Sequence, residues 1–161
     1  MAMISEGGCF CGKVRYRLKA APMFVNCCHC RDCQRQSGSA FVVNGMIEAE
    51  EVELLSGEPE PVSMRTDSGH PHDIFRCREC RSAVWSDYGR RGWMLFIRLA
   101  TLDEPGRFPP DAHIFTCSRL PWVNLDGGAP AFDIYYEMEK LWPAESLERR
   151  QRARLRAGAE R

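Results

Sequence analysis

Nine cysteines dominate the chemistry open to this 161-residue chain. Seven fall in three tight groups: Cys9 and Cys11 in C-F-C-G, Cys28, Cys30 and Cys33 in C-H-C-R-D-C, and Cys77 and Cys80 in C-R-E-C. Thiolates one or two residues apart can converge on one ion through a tight turn, and all-sulfur tetrahedral ligation belongs to zinc or to iron–sulfur clusters. The C-x-C spacings, without the usual cluster-binding run, favour Zn2+. An odd cysteine count argues against a disulfide framework. So does the start M-A-M-I-S-E-G-G-C-F-C, which has neither a basic n-region nor an apolar core. The expected setting is cytoplasmic, where thiols stay reduced.

Two closed tetrahedral sites need eight thiolates, and the three groups supply seven. Four plus three is the natural division. Cys28, Cys30 and Cys33 are local enough to take three corners of one site, while Cys9, Cys11, Cys77 and Cys80 close the other across a loop of about 70 residues. Spacing also permits Cys30 and Cys33 to join Cys77 and Cys80 in a ribbon-like site, leaving the rest as a partial second. Cys27 and Cys117 read as buried apolar thiols, although either could fill an open corner. Three thiolates on a dication leave a net charge of −1, which suits a soft fourth ligand such as a small thiol better than hydrolytic water. A thiolate held beside a carbonyl carbon points to carbon–sulfur bond chemistry on a thiol adduct of a small aldehyde. The alternative is a non-catalytic zinc module that binds protein or nucleic acid.

Four histidines add little certainty about chemistry. His29 lies within the cysteine triplet, where it could ligate or shuttle a proton, and His70 and His72 flank Pro71 in a polar loop read as surface. His113, in P-P-D-A-H-I-F, is the candidate to line a pocket and take a catalytic role. No G-x-S-x-G, phosphate loop or dinucleotide fingerprint is present. Composition excludes other classes. With 44% apolar and 27% charged residues, and 22 basic against 22 acidic, the chain has neither a disordered signature nor the charge of a general nucleic-acid binder. No run of 18 apolar residues exists to span a membrane.

The elements that must position these groups read as short strands. K-V-R-Y-R-L-K at residues 13–19 alternates strictly, as a half-buried strand does. Further extended pieces are expected at 23–27, 40–47, 51–55, 62–66, 73–77, 83–86, 94–99 and 131–136, each bounded by turn residues. Gly45 suggests a bulge or a close backbone approach. Residues 31–36 fit one helical turn ending near Gly38. The fold class is mostly β, short antiparallel strands organised around zinc, with residues 1–138 as one domain. The tail, 139–161, is basic, and its helix-prone stretch 144–157 has in Leu147 and Leu155 too few large apolar residues for an independent anchor, so a solvated or frayed surface helix is expected.

The pattern resembles the glutathione-dependent formaldehyde-activating (GFA) family, which also contains centromere-protein-V-like domains. The resemblance lies in G-G-C-F-C-G-K-V-R-Y at Gly7–Tyr16, C-H-C-R-D-C-Q-R-Q-S-G at Cys28–Gly38 and F-R-C-R-E-C at Phe75–Cys80. It continues in H-I-F at His113–Phe115 and S-R-L-P-W at Ser118–Trp122. It implies an Mss4-like fold, a structural zinc at Cys9, Cys11, Cys77 and Cys80, and a second zinc at Cys28, Cys30 and Cys33 near a bound glutathione. The implied reaction joins formaldehyde and glutathione into S-hydroxymethylglutathione, a carbon–sulfur lyase activity. The carboxylates of such a ligand want cationic partners, for which Arg31, Arg35, Arg98 and Arg119 are available, and Trp122 could wall the pocket. One departure is Arg81, where the family has glycine after the last cysteine pair. That weakens the expectation of a tight turn there.

Overall fold

In a computed structural model that describes residues 4–125 and 128–158, strands and helices are mixed and the helices gather at the carboxyl end. The alternating stretch forms β2 (Arg15–Leu18), which buries Tyr16 and Leu18 and turns Arg15 and Arg17 outward. β2 pairs antiparallel with β1 (Ser5–Gly8) and β5 (Val52–Ser56) in a three-stranded sheet. β1 is absent from the sequence reading because its S-E-G-G lacks strand formers. Its glycines serve close approach: a Cβ at Gly7 would lie 2.6 Å from the Thr101 carbonyl oxygen and 2.8 Å from the Tyr16 hydroxyl.

A second sheet carries the chemistry. Its strands are β3 (Phe24–Cys28), β4 (Val42–Glu48), β6 (Glu60–Met64), β7 (His72–Arg76), β8 (Ala83–Tyr88), β9 (Met94–Arg98) and β10 (Ala112–Ile114). They lie in the order β10-β3-β4-β9-β8-β7-β6, antiparallel except for the parallel pair β10 and β3. β3 is buried along its whole length. Its alternate side chains enter two different cores, Val25 joining Tyr16, Leu18, Ile47 and Leu99, while Phe24 and Cys28 join Met46, Trp93 and Trp142. Gly45 makes the expected close approach, since a Cβ there would press on Leu99 at 2.8 Å, and the β3–β4 register runs through it without a bulge.

Two expectations fail. Residues 131–136 form no strand; they lie beside β10 through one isolated bridge, Ala131 to His113, and irregular backbone bonds. β10 itself stops at Phe115, whose φ of +55° turns the chain out of extended geometry, so no longer ladder can form. The tail is helical but docked. After α1 (Arg31–Ser37) and the single turn α2 (Met138–Leu141), Trp142 stacks on Phe24 with ring centroids 5.1 Å apart and donates its indole N–H to Tyr136. In α3 (Ala144–Arg156), Ser146 donates to the Met23 carbonyl at 2.6 Å and Arg149 grips Glu48 through two hydrogen bonds of 2.8 and 2.6 Å. No helix among the described residues is long and apolar enough to cross a membrane.

Candidate metal centres

The first cysteine pair sits in the turn between β1 and β2. Gly12, at φ +76°, lets the chain close back on Cys9, and the Val14 N–H points at the Cys9 sulfur at 3.3 Å. The second pair follows β7 in a matching turn, closed by a 3.0 Å bond from the Arg81 N–H to the Cys77 carbonyl. Arg81 adopts φ +62° there, so the tight turn forms with arginine in the glycine position, at a steric cost of roughly 1–2 kcal/mol. The Ser82 hydroxyl lies 3.3 Å from both the Phe10 N–H and the Cys80 sulfur, linking the two turns. All four sulfurs lie within 4.8 Å of one another, with Cys9–Cys11 at 3.5 Å and Cys11–Cys77 at 3.8 Å. A tetrahedron with metal–sulfur bonds of about 2.3 Å has edges of about 3.8 Å, so the donor set fits one ion.

The triplet forms where β3 runs into α1. Cys28 ends the strand, and Cys30 caps the helix, its sulfur accepting the Cys33 N–H at 3.3 Å. Gly38, at φ +68°, ends α1 in left-handed geometry. Cys28 and Cys33 are buried and Cys30 is half-buried. Hydrogen bonds from Cys28 and then Cys33 hold the Cys30 thiol far below its ordinary range, while the bond to Cys30 pushes Cys28 up. Three sulfurs held within 4.8 Å of one another suit a cation. Arg98, on β9, is buried and bonded to Asn44 and Gln36. Burial pulls its guanidinium below the usual range and the thiolates of Cys33 and Cys28 oppose that pull, so it stands as a fixed positive charge beside the triplet rather than as a free ligand for a carboxylate.

The cysteines therefore gather as four and three. Cys30 and Cys33 do not join Cys77 and Cys80, and neither Cys27 nor Cys117 enters the triplet. Cys27 is buried as expected, and burial pushes its thiol up to about 12. Cys117 is exposed, contrary to its reading as a core thiol, because the turn after Phe115 swings it outward. Cys27 instead meets His29 and His113 in a third group that could hold a metal, also within 4.8 Å. Burial holds His29 down to about 4, with His113 the next cause. His72, read as surface, is the first residue of β7 and is buried, its ring edge-on against Tyr88, its register partner on β8.

A cavity of about 610 Å³ opens beside α1, lined by Arg31, Gln34, Arg35, Phe41, Leu120 and Trp122 among others. It brings together three of the residues expected to hold a ligand. Arg119 does not line it and donates to the Val123 carbonyl, and His113 does not line it either. Gln34, which the sequence reading passed over, is the organiser of this corner. Its buried amide donates to the carbonyls of His29 at 2.7 Å and Ser118 at 2.9 Å, and its oxygen accepts from Arg31. The signal was available, since Gln34 follows Cys33 directly and faces the same helix side as Cys30.

Fold and sites together define a small β-rich protein with preformed thiolate cages able to take metal ions. The model of the glutathione-dependent formaldehyde-activating enzyme family matches residues 4–118, and the chain belongs to that family. A protein of Halomonas elongata that carries the family's name is 25% identical over 129 residues, covering 77% of this chain and 82% of its own length. A crystal structure of a Rhodobacter sphaeroides protein aligns over 79% of this chain and 99% of its own, with a TM-score of 0.45 and 14% identity.

Proposed function

We propose that the chain is a zinc-dependent carbon–sulfur lyase acting on a thiol adduct of a small aldehyde, with S-hydroxymethylglutathione formation as the type reaction. The proposal takes the fold as Mss4-like and the setting as cytoplasmic. Cys9, Cys11, Cys77 and Cys80 would hold a structural zinc, and Cys28, Cys30 and Cys33 a second one with a corner left free. The observation that carries the reading is this inequality of four donors against three; the open cavity lies beside α1, the helix that Cys30 caps and that carries Cys33, although none of the three cysteines lines it. When bound at the triplet, zinc supplies stabilisation of a thiolate at neutral pH.

The chain's own residues do the rest. Arg31 and Arg35 face the cavity and suit the carboxylates of a small thiol such as glutathione. Trp122 offers an apolar wall, and Gln34 holds α1 in place against the ends of β3 and the 118 turn. Arg98 offsets the negative charge of three thiolates from the buried side. In the reaction the substrate sulfur bonds to the aldehyde carbon, and the thiol proton ends on the aldehyde oxygen, so no outside oxidant or reductant is needed. The alternative, a zinc module that binds partners through its basic tail, is the weaker reading. Arg149 and Arg156 of that tail already pair with Glu48 and Glu50.

The test is exchange spectroscopy of formaldehyde and glutathione, with and without the zinc-loaded protein. Faster interconversion of free thiol and adduct is expected. Cys30→Ser should abolish the acceleration and one equivalent of zinc while the fold persists, whereas Cys77→Ser should unfold the chain. An unaltered exchange rate with the wild type, across several small thiols and aldehydes, would sink the proposal.

A further inference from the structure

The end of β3 presents metal-binding groups on both of its sides. Val25 and Phe24 enter separate cores, and the same alternation continues through the following residues. Cys28 and Cys30 go with the Phe24 side, where they meet Cys33. Cys27 and His29, two residues apart, therefore share the other side. The parallel partner strand supplies the third group: in the β10–β3 register His113 lies opposite Cys27, and the His29 N–H extends that pairing by donating to the Ile114 carbonyl at 3.0 Å.

From this placement we propose that Cys27, His29 and His113 form a third metal site, holding a zinc-type divalent ion through one thiolate and two imidazoles. The spacing of the donors supports it. A tetrahedral ion bonded at about 2.0–2.1 Å to nitrogen and about 2.3 Å to sulfur has nitrogen–nitrogen edges of about 3.3 Å and sulfur–nitrogen edges of about 3.6 Å. His29 Nε2 stands 3.1 Å from His113 Nδ1 and 3.6 Å from Cys27 Sγ. Both edges match within the width of a normal bond-length range. With one thiolate the site would be net +1, against −1 for a dication on the triplet. Two centres of opposite charge would then back onto one another across a single strand end.

The competing account of the same distances is a chain of hydrogen bonds without metal. A metal on Nε2 fixes the His29 proton at Nδ1, which has no partner among the described residues. A hydrogen-bonded chain can instead leave that proton on Nε2, between the two rings. The two accounts differ in what they bind, so the measurement is direct.

The experiment loads the full chain with cadmium-113 in place of zinc and records its cadmium resonances. Three lines are expected, two at thiolate-rich positions and one well upfield, as a single sulfur with two nitrogens requires. Cys27→Ala and His113→Ala should each delete the upfield line alone, and Cys30→Ser should delete a different one. Two lines at saturating cadmium, or an upfield line that survives both substitutions, overturns the proposal. Should Cys27→Ala fail to fold, His113→Gln, at a half-buried ring, gives the same reading. The site shares no ligand with the proposed reaction centre, so absence of turnover leaves this result untouched.

Discussion

The docking of α3 rests on one buried ion pair whose worth can be worked out from its surroundings. Arg149 donates to both oxygens of Glu48, and its Nη2 also reaches the Ala21 carbonyl at 3.0 Å. The two side chains are 17% and 8% exposed. Replacing Arg149 by Met keeps the aliphatic stem but leaves the Glu48 carboxylate desolvated and alone. Breaking such a buried pair from one side costs about 3–5 kcal/mol, and partial access to water through the arginine puts this case near about 3. Removing both charges, as in Arg149→Met with Glu48→Met, should recover most of that loss, because the penalty is the orphaned charge rather than the missing attraction. Arg156 with Glu50 is the internal control. Those side chains are 59% and 47% exposed, and Arg156→Ala should change stability by less than about 0.5 kcal/mol. Urea unfolding followed by tryptophan fluorescence reads all four proteins. The reasoning is refuted if Arg149→Met costs under about 1 kcal/mol, or if the double variant is no more stable than the single.

Three further outcomes follow from the same geometry. Trp142→Ala removes a stacked, buried indole and should cost about 3–5 kcal/mol, lowering Tm by roughly 10 °C in a calorimetric scan; deletion of residues 139–161 should lower it further. Arg81→Gly relieves a left-handed arginine but loses its exposed pairing with Glu60, so stability should hold or rise by up to about 1 kcal/mol, while Arg81→Val should lower it by more than about 1 in the same scan. His72 is held down to about 4 by burial. A histidine depressed in the folded state binds its proton first in the unfolded chain, so stability falls as pH drops below about 6.5 and levels off below about 4. Between pH 7.5 and 5 this amounts to about 2 kcal/mol. His72→Phe should lack that part of the pH dependence when unfolding midpoints of the two proteins are subtracted at each pH.

What could be read in the sequence, and what could not, divides along the range of the interactions. The cysteine groups were legible because each knuckle is local: C-F-C-G and C-R-E-C bend on themselves, and a cage only has to bring two such turns together. β2 and α1 were legible for the same reason, one from strict alternation and the other from a polar run after the cysteine cluster and a closing glycine. β10 was not, since A-H-I in a proline-rich stretch has no local signature and exists only because β3 offers it a parallel edge. The docking of α3 was equally hidden. Its leucines are as few as the sequence suggested, and Leu155 is 65% exposed, but the anchor is Trp142, Ser146 and Arg149 reaching strands more than 100 residues earlier.

The histidines show the intermediate case, and they explain why the third group of donors was missed. C-C-H-C at Cys27–Cys30 contains two interleaved pairs, and period-two alternation alone assigns Cys28 with Cys30 to one side and Cys27 with His29 to the other. That half of the pattern was in plain view. Counting His29 only as an addition to the triplet hid it, because proximity along the chain was treated as proximity in space. The remaining donor, His113, is 84 residues from His29 and comes opposite Cys27 only through the β10–β3 register. A two-donor pair on a strand is common and binds nothing by itself. It becomes a candidate site when an unpredictable neighbouring strand brings the third donor, which is why Cys27 reads as a spare apolar thiol in the sequence and as one of three converging donors in the fold.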